Sequence, residues 1–511
     1  MKVLSAAEMR DVDRHTIELG IPGMILMENA GSRVVDFLME KFAPLSDQHI
    51  VVLCGKGNNG GDGLVVARQL FTRFRPRALH VVLAGEPGEF KGDAAENLRM
   101  LRACGGGFAR EITLEMRRAT LLVDALLGTG LTGAARGRSA ELIHEANTGF
   151  GQAKVIAVDI PSGMESDSAA SVGEFVRADY TVTFTAPKPC HVLSPACENV
   201  GELRLAQIGS PPELYENDAS VWLHLSEPTL FRALFQPRLS ESNKGLYGHA
   251  LIVAGGRGKT GASAMAGVAA LRAGAGLVTV ASAESAINTI AAYEPALMTD
   301  PLPETGSGMI RDLPHDALKR KNVVAIGPGM GSEPETVALI RRLVRDLEVP
   351  MVVDADGLNA IAGVLERATG PRVLTPHPGE MSRLTGKSTV EVQADRAGIA
   401  RGFAQEHGVF LVLKGNRSVI ASPDGRVWIN PTGSPALATG GTGDVLTGLL
   451  AGLLAQYPDQ IEAAVLAAVY LHGRAGQIGA RELGDKGLIA TDLFRYLPEA
   501  MREVSDFRNA L

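Results

Sequence analysis

The sequence predicts two successive α/β domains, each a largely parallel sheet covered by helices on both faces. Three observations carry this expectation. Short continuous apolar runs rich in Val, Ile and Leu recur along the chain, as in strands buried on both faces. Segments able to form helices separate most of them, as crossovers between parallel strands require. The 511 residues exceed what one core organises. A turn-rich stretch, IGSPPELYENDAS (208–220), divides the runs into two series.

The elements follow in order. Two amphipathic segments open the chain, at 6–19 and 24–42, with Gly20-Ile21-Pro22 as the break. Five runs follow: HIVVLCG (49–55), ALHVVLAG (78–85), TLLVDALLG (120–128), KVIAVDIPSG (154–163) and YTVTFTA (180–186). A boundary near 215–225 separates a first domain, 1–220, from a second, 225–511. The second series is HALIVAGG (249–256), GLVTVAS (276–282), NVVAIGPG (322–329), PMVVDADG (350–357), RVLTPHPGE (372–380), VFLVLKG (409–415), SVIAS (418–422) and RVWIN (426–430). The last two read as a hairpin around Pro423-Asp424-Gly425.

Composition narrows the function. Hydrophobic residues make up 45% and charged residues 21%, ordinary globular values. A net charge of −7 argues against general nucleic-acid binding. Cys54, Cys104, Cys190 and Cys197 form neither a CxxC pair nor a zinc spacing, so a reduced, cytoplasmic chain is expected. The start, MKVLSAAEMRDVDRHT, turns charged by Glu8 and is no secretory signal. The most apolar stretches are broken by Arg272 or too short to span a bilayer, so no membrane partner is expected.

Between the first run and LVVARQLF lies GKGNNGGDG (55–63). It reads as a glycine-rich loop opening a helix, where main-chain N–H groups and the helix dipole favour anions. It is neither GxGxxG nor a Walker A sequence, and an Asn-Gly hairpin turn is the alternative. The asparagines add neutral oxygens able to ligate a hard cation. Asp124, Asp159 and Ser162 follow at other strand ends, which converge on one edge of a parallel sheet. Asn59, Asp124 and Ser162 could therefore share an oxygen-rich site rimmed by GTGLTGA (128–134), unless each aspartate merely caps a helix or forms a turn.

NNGGDG, DALLGTGLTG and VDIPSG, in this order, resemble the N-terminal domain of the bifunctional NAD(P)H-hydrate repair enzymes. The resemblance covers nearly the whole first half and implies a Rossmann-like epimerase of hydrated NAD(P)H. It implies substrate contacts from Asn58, Asn59, Gly60, Gly61 and Asp62, and from Gly128, Thr129, Gly130, Leu131, Thr132, Gly133 and Ala134. It also implies Asp159 as substrate contact and acid/base, and K⁺ at Asn59, Asp124 and Ser162.

In the second half, ATGGTGDVLTGLLAGLLAQY (438–457) is a glycine-rich turn opening an apolar helix, with Asp444 at its start. Main-chain amides there suit a transferring phosphoryl group, and Asp444 suits a base, or simply an N-cap. The pattern resembles ribokinase-like enzymes. GRGKTGAS (256–263), IGPGMGS (326–332), TPHPGEMSRLTG (375–386) and LKGNRSVI (413–420) resemble the ADP- or ATP-dependent dehydratase half of the same repair family, over about 235–505. That implies Ala262, Gly331, His377 and Asp444 at the hydrated dinucleotide, and Lys414, Gly415, Asn416, Arg417, Ser418 and Gly443 at the adenine nucleotide, with Asp444 as base. Read alone, His377 between prolines is a rigid turn residue and Lys414 a solvated strand end. DADGLNA (354–360) holds Mg²⁺ through Asp354 or Asp356, or caps a helix.

The expectation is a fused repair enzyme taking hydrated NADH or NADPH and ADP (or ATP), with K⁺ and Mg²⁺, as a homo-oligomer. Its rivals are a ribokinase-like vitamin or sugar kinase, and a first half that only binds a nucleotide.

Overall fold

The apolar runs become strands buried on both faces. The computed structural model describes residues 1–170 and 172–507, so residues 508–511 of the expected second domain lie outside the described residues. The chain divides into two units, Met1–Leu223 and His224 onward.

The first unit carries β1 (His49–Cys54), β2 (Ala78–Leu83), β3 (Leu121–Ala125), β4 (Lys154–Val158), β5 (Tyr180–Phe184) and β6 (Glu202–Ala206). They form one sheet in the order β2-β1-β3-β4-β5-β6, with every pairing parallel. Alternate residues of β1 feed opposite faces: Ile50, Val52 and Cys54 join one core cluster, Val51 and Leu53 the other. Each fully buried Val, Leu or Ile contributes roughly 1.5–3 kcal/mol. Helices Ala6–Glu18 and Gly23–Phe42 precede the sheet, the first opened by a Ser5–Glu8 capping box. The order reverses between β1 and β3, where an open α/β sheet leaves a crevice beyond its strand ends.

The second unit carries β8 (His249–Val253), β9 (Leu277–Ala283), β10 (Met298–Leu302), β11 (Val323–Ile326), β12 (Met351–Val353), β13 (Arg372–Leu374), β14 (Phe410–Leu413), β15 (Val419–Ala421) and β16 (Val427–Ile429). Its ten-stranded sheet runs β10-β9-β8-β11-β12-β13-β14-β15-β16 and ends on the short entry strand β7 (Leu223–Leu225). From β10 to β14 the pairings are parallel, and β14 to β16 are antiparallel. The switch point here lies between β8 and β11. Among the described residues no helix is long and apolar enough to cross a membrane.

Three strands, β6, β7 and β10, lie where no run was expected, and all three are at sheet edges. β6 alternates exposed Glu202 and Arg204 with half-buried positions. β10 contains Pro301, which lacks a ladder donor and is tolerated at an edge.

Candidate functional site

In the first unit, strand ends and one helix start surround a cleft of about 600 Å³. The reading of GKGNNGGDG as a loop is corrected: the helix starts at Asn58, with Gly57 as N-cap, so NNGGDG forms its opening turns. Its glycines serve close packing. A Cβ on Gly60 would stand 1.7 Å from the Gly55 carbonyl oxygen, and one on Gly61 would meet Met27 Sδ at 2.5 Å. Asn58, Asn59 and Asp62 line the cleft, as do Gly128, Thr129, Gly130 and Leu131. Gly60, Gly61, Thr132, Gly133 and Ala134 are not among the lining residues. The Gly133 N–H is engaged by Glu165 Oε1 at 2.6 Å.

Asn59, Asp124 and Ser162 come together around one carbonyl. Leu127 O accepts from Asn59 Nδ2 at 3.0 Å, and Ser162 Oγ stands 3.2 Å from the same oxygen. Ser162 donates its hydroxyl to Asp124 Oδ1 at 2.6 Å and its N–H to Oδ2 at 2.8 Å. Asp124 is fully buried with no cationic side chain among its partners. Burial pushes its carboxyl up to about 6, against the hydrogen bonds from Ser162 and Leu126. Asn59 Oδ1 is buried and unpartnered, a configuration that costs about 1–3 kcal/mol unless something meets it. These neutral and singly charged oxygens suit a large monovalent cation better than a carboxylate-rich divalent site. Among the described residues no cluster of three His, Cys, Asp or Glu side chains could hold a metal.

Asp159 stands at the end of β4 with φ +65°, a left-handed conformation uncommon outside glycine. Thr185, at the end of β5, also has φ +65°. Such outliers cluster at functional sites. Asp159 Oδ1 accepts from Lys188 Nζ at 2.6 Å and from Thr183 Oγ1 at 2.9 Å. Burial opposes its charged form, but the Lys188 ammonium and these hydrogen bonds prevail and hold the carboxyl below its ordinary value. The other two Lys188 hydrogens go to Thr183 Oγ1 at 2.8 Å and Phe184 O at 3.0 Å. His191 Nδ1 accepts the Lys188 N–H at 3.1 Å, and burial holds this imidazole neutral down to about 3.

Asp13 and Asp62 line the same cleft. Burial pushes Asp13 up to about 6, against the Lys188 charge and with that of Asp159. Burial, then the Asp159 and Asp13 charges, push Asp62 well above the carboxylate range. Asp13 and Lys188 escaped sequence reading. The signal for Lys188 was TAPKP directly after a strand, whereas Asp13 looked like any polar position of an amphipathic helix.

In the second unit the implied residues also lie beyond the C-terminal ends of the parallel strands. Gly441, with φ +94°, is the N-cap of helix Thr442–Gln456, and Asp444 lies in its first turn. Asp444 is therefore not the N-cap. The amides of Thr442, Gly443 and Asp444 precede the first intrahelical bond, Val445 N–H to Gly441 O at 3.1 Å, and are available to an anion. His472 Nε2–H donates to Thr442 O at 2.8 Å, and burial holds that imidazole neutral down to about 4. Burial pushes the Asp444 carboxyl up to about 6, with the Asp354 charge adding and Lys414 opposing.

Lys414 is no solvated strand end. Its ammonium meets Asp354 Oδ1 at 2.8 Å and Glu380 Oε2 at 3.8 Å. Burial disfavours its charge, but these carboxylates and Asp444 raise its pKa overall. Thr447 Oγ1 holds Asp354 Oδ2 at 2.9 Å. Asp356 Oδ2 accepts from Gly331 N–H at 2.8 Å and Lys259 Nζ at 3.4 Å, and Ala355 between the two aspartates has φ +49°. Ala262 lies in the first turns of helix Thr260–Arg272 and would touch a Cβ on Gly329 at 3.4 Å. His377 caps helix Pro378–Thr385, its Nδ1 accepting from Gly379 N–H at 3.0 Å. Gly415, Asn416, Arg417 and Ser418 form the β14–β15 turn. There Ser418 Oγ donates to Gly415 O at 3.1 Å, and Arg417 has φ +54°.

Residues 250–499 match the family profile "NAD(P)H-hydrate dehydratase" and residues 23–190 match "YjeF-related protein N-terminus". A curated protein from Moorella thermoacetica, "Bifunctional NAD(P)H-hydrate repair enzyme Nnr", is 42% identical over 99% of this chain and 98% of its own. The chain belongs to the bifunctional NAD(P)H-hydrate repair enzymes. The family member from Escherichia coli is 35% identical over 98% of this chain and 94% of its own. A solved "ribokinase-like superfamily protein" from Enterococcus faecalis matches with a TM-score of 0.50 at 26% identity, covering 57% of this chain and all of its own. The repair family thus joins an open parallel sheet to a ribokinase-like one, the two-domain α/β class read from the sequence.

Proposed function

We infer that the chain repairs hydrated NADH and NADPH at two sites: the first unit interconverts the R and S hydrates, and the second dehydrates the S hydrate with ADP or ATP. The carrying observation is a full-length match to relatives named for this repair, in a chain whose two sheet edges each present a poised carboxylate, Asp159 and Asp444.

Epimerisation breaks and remakes the bond from C6 of the nicotinamide ring to its hydroxyl. Asp159, ionised and oriented by Lys188, moves the proton that this requires. Lys188 is a positioning residue, because all three of its hydrogens are taken inside the protein. K⁺ fits the unpartnered Asn59 Oδ1 with Asp124 and Ser162, and when bound supplies the positive charge that buried Asp124 lacks.

Dehydration needs a better leaving group than hydroxide, and phosphorylating the hydroxyl provides one. Asp444 takes the hydroxyl proton, while the amides at Thr442–Asp444 receive the phosphoryl oxygens. Gly415–Ser418 line the nucleotide's approach, with Lys414 fixed beside them. Mg²⁺ fits as an ion carried by the nucleotide, since Asp354 and Asp356 each already meet a lysine. Cytoplasmic residence and self-association belong to the same reading, the latter tested by light scattering.

Incubating the full chain with mixed hydrates and ADP, and following NADH absorbance, tests the reading. Complete conversion is expected. Conversion of the S hydrate alone removes the epimerase half, and a stable phosphorylated product favours a kinase. Cut ahead of β7, near residue 220, each piece is expected to retain one activity.

A further inference from the structure

We propose that Asp13 is a second acid/base residue of the first site, working together with Asp159, so that one carboxyl protonates the departing C6 hydroxyl while the other takes a proton from the incoming water. The assignment rests on reading this unit as the hydrate epimerase.

Asp13 reaches the cleft from helix Ala6–Glu18, whereas Asp159 reaches it from the end of β4. Asp13 Oδ1 is buried and unpartnered. Buried polar atoms are nearly always satisfied, so an exception calls for a cause. Lys188 cannot satisfy it, since its hydrogens go to Asp159, Thr183 and Phe184. The other charged groups lining the cleft are Arg10, Lys56, Asp62 and Asp93. Burial and the Asp159 charge favour a proton on Asp13, while Lys188 opposes it there and keeps Asp159 ionised. Two carboxyls driven apart in proton affinity within one cleft form an acid and a base.

From the S hydrate, Asp13 gives its proton to the C6 hydroxyl. The C6–O bond breaks with its electron pair, water leaves, and the ring-nitrogen lone pair forms a C6=N1 double bond. Water adds to C6 from the other face, the double-bond pair returns to nitrogen, and the water's proton passes to Asp159. The enzyme has moved one proton from Asp13 to Asp159, and exchange with solvent restores it. The reverse reaction swaps the two roles.

The test is Asp13→Asn in the full chain, with epimerisation measured in both directions. The expected result is a kcat lower by about 100-fold or more, with KM within about threefold. The wild-type decline in rate as pH rises through about 6 should also vanish. Asp13→Glu should recover part of the rate. Hydrogen exchange in peptides of the first unit, unchanged from wild type, reports that this unit is folded. Epimerisation by Asp13→Asn near the wild-type rate, or a loss confined to KM, overturns the assignment. If the wild-type chain dehydrates but never epimerises, the epimerase reading fails along with it.

Discussion

Lys414 Nζ lies 2.8 Å from Asp354 Oδ1, and a methyl group built on Gly443 would sit 3.7 Å from both Lys414 Nζ and Asp354 Oδ2. One ion pair therefore lies against the turn that starts the Asp444 helix. Glu380 Oε2 also lies 3.8 Å from that ammonium, its carboxyl raised by burial.

Lys414→Met should damage stability and activity together. It strands the carboxylates of Asp354 and Glu380, which are 3% and 7% exposed. Removing one partner of a buried pair costs roughly 3–5 kcal/mol. Denaturant unfolding of the second unit should show a loss of that size, and dehydration should fall. A loss under about 1 kcal/mol would mean that water already screens the pair.

The strands of both units were legible because parallel strands buried on both faces are written as uninterrupted apolar runs, such as VVLC before the first site and LVL before Lys414. β6 was hidden because an edge strand keeps Glu202 and Arg204 outward, and β10 because it contains Pro301. NNGGDG looked like a loop because glycine is a poor helix former. There tertiary packing wins: Gly60 is the residue that lets the helix approach the Gly55 backbone. Asn59, Asp124 and Ser162 could be grouped because strand ends converge. Asp13, Lys188 and Glu380 could not, because each gains its meaning from a partner far along the chain.

K⁺ should both activate and stabilise the first unit relative to Li⁺. Asn59 Oδ1 is buried without a partner, and Asp124 is buried without a counter-charge. At a K⁺ concentration about ten times its Kd the gain is about 1.4 kcal/mol. Melting and epimerisation in KCl against LiCl should differ for the wild-type chain and coincide for Asp124→Asn. Identical wild-type behaviour in the two salts would remove the cation.

His191 should cost the first unit stability as pH falls below about 6.5, against the opposite contribution of Asp13, Asp62 and Asp124, whose carboxyls burial raises. His191 stays neutral in the folded chain down to about 3, whereas an unfolded imidazole takes its proton near 6.5. Between those values the unfolded state binds more protons at this imidazole, so its contribution is fully present above about 6.5 and falls with pH. His191→Asn offers Lys188 N–H a neutral acceptor that does not titrate, so the mutant should lose less stability on acidification than the wild type. Hydrogen exchange in peptides of the first unit isolates the effect from His472 in the second. Equal slopes in mutant and wild type would assign the pH dependence to other groups.

Asp444→Asn separates a base from a structural residue. The swap preserves shape and most hydrogen bonding but cannot accept the hydroxyl proton. The helix loses no cap, since Gly441 holds that position. Turnover of the S hydrate should drop by roughly 10²–10⁴-fold, the usual contribution of general acid–base catalysis. Nucleotide affinity should hold or rise slightly, because the phosphoryl oxygens are met by main-chain amides and one nearby negative charge is gone. Epimerisation, carried out by the other unit, should not change. Burial pushes the wild-type carboxyl up to about 6, and a base works only when ionised. The wild-type dehydration rate should therefore climb as pH rises through about 6 and then level off, while Asp444→Asn shows no such climb. A mutant dehydrating within about threefold of wild type, with the same pH profile, would place the base elsewhere. The neighbouring buried carboxylate would then be Asp354, paired with the Lys414 ammonium at 2.8 Å.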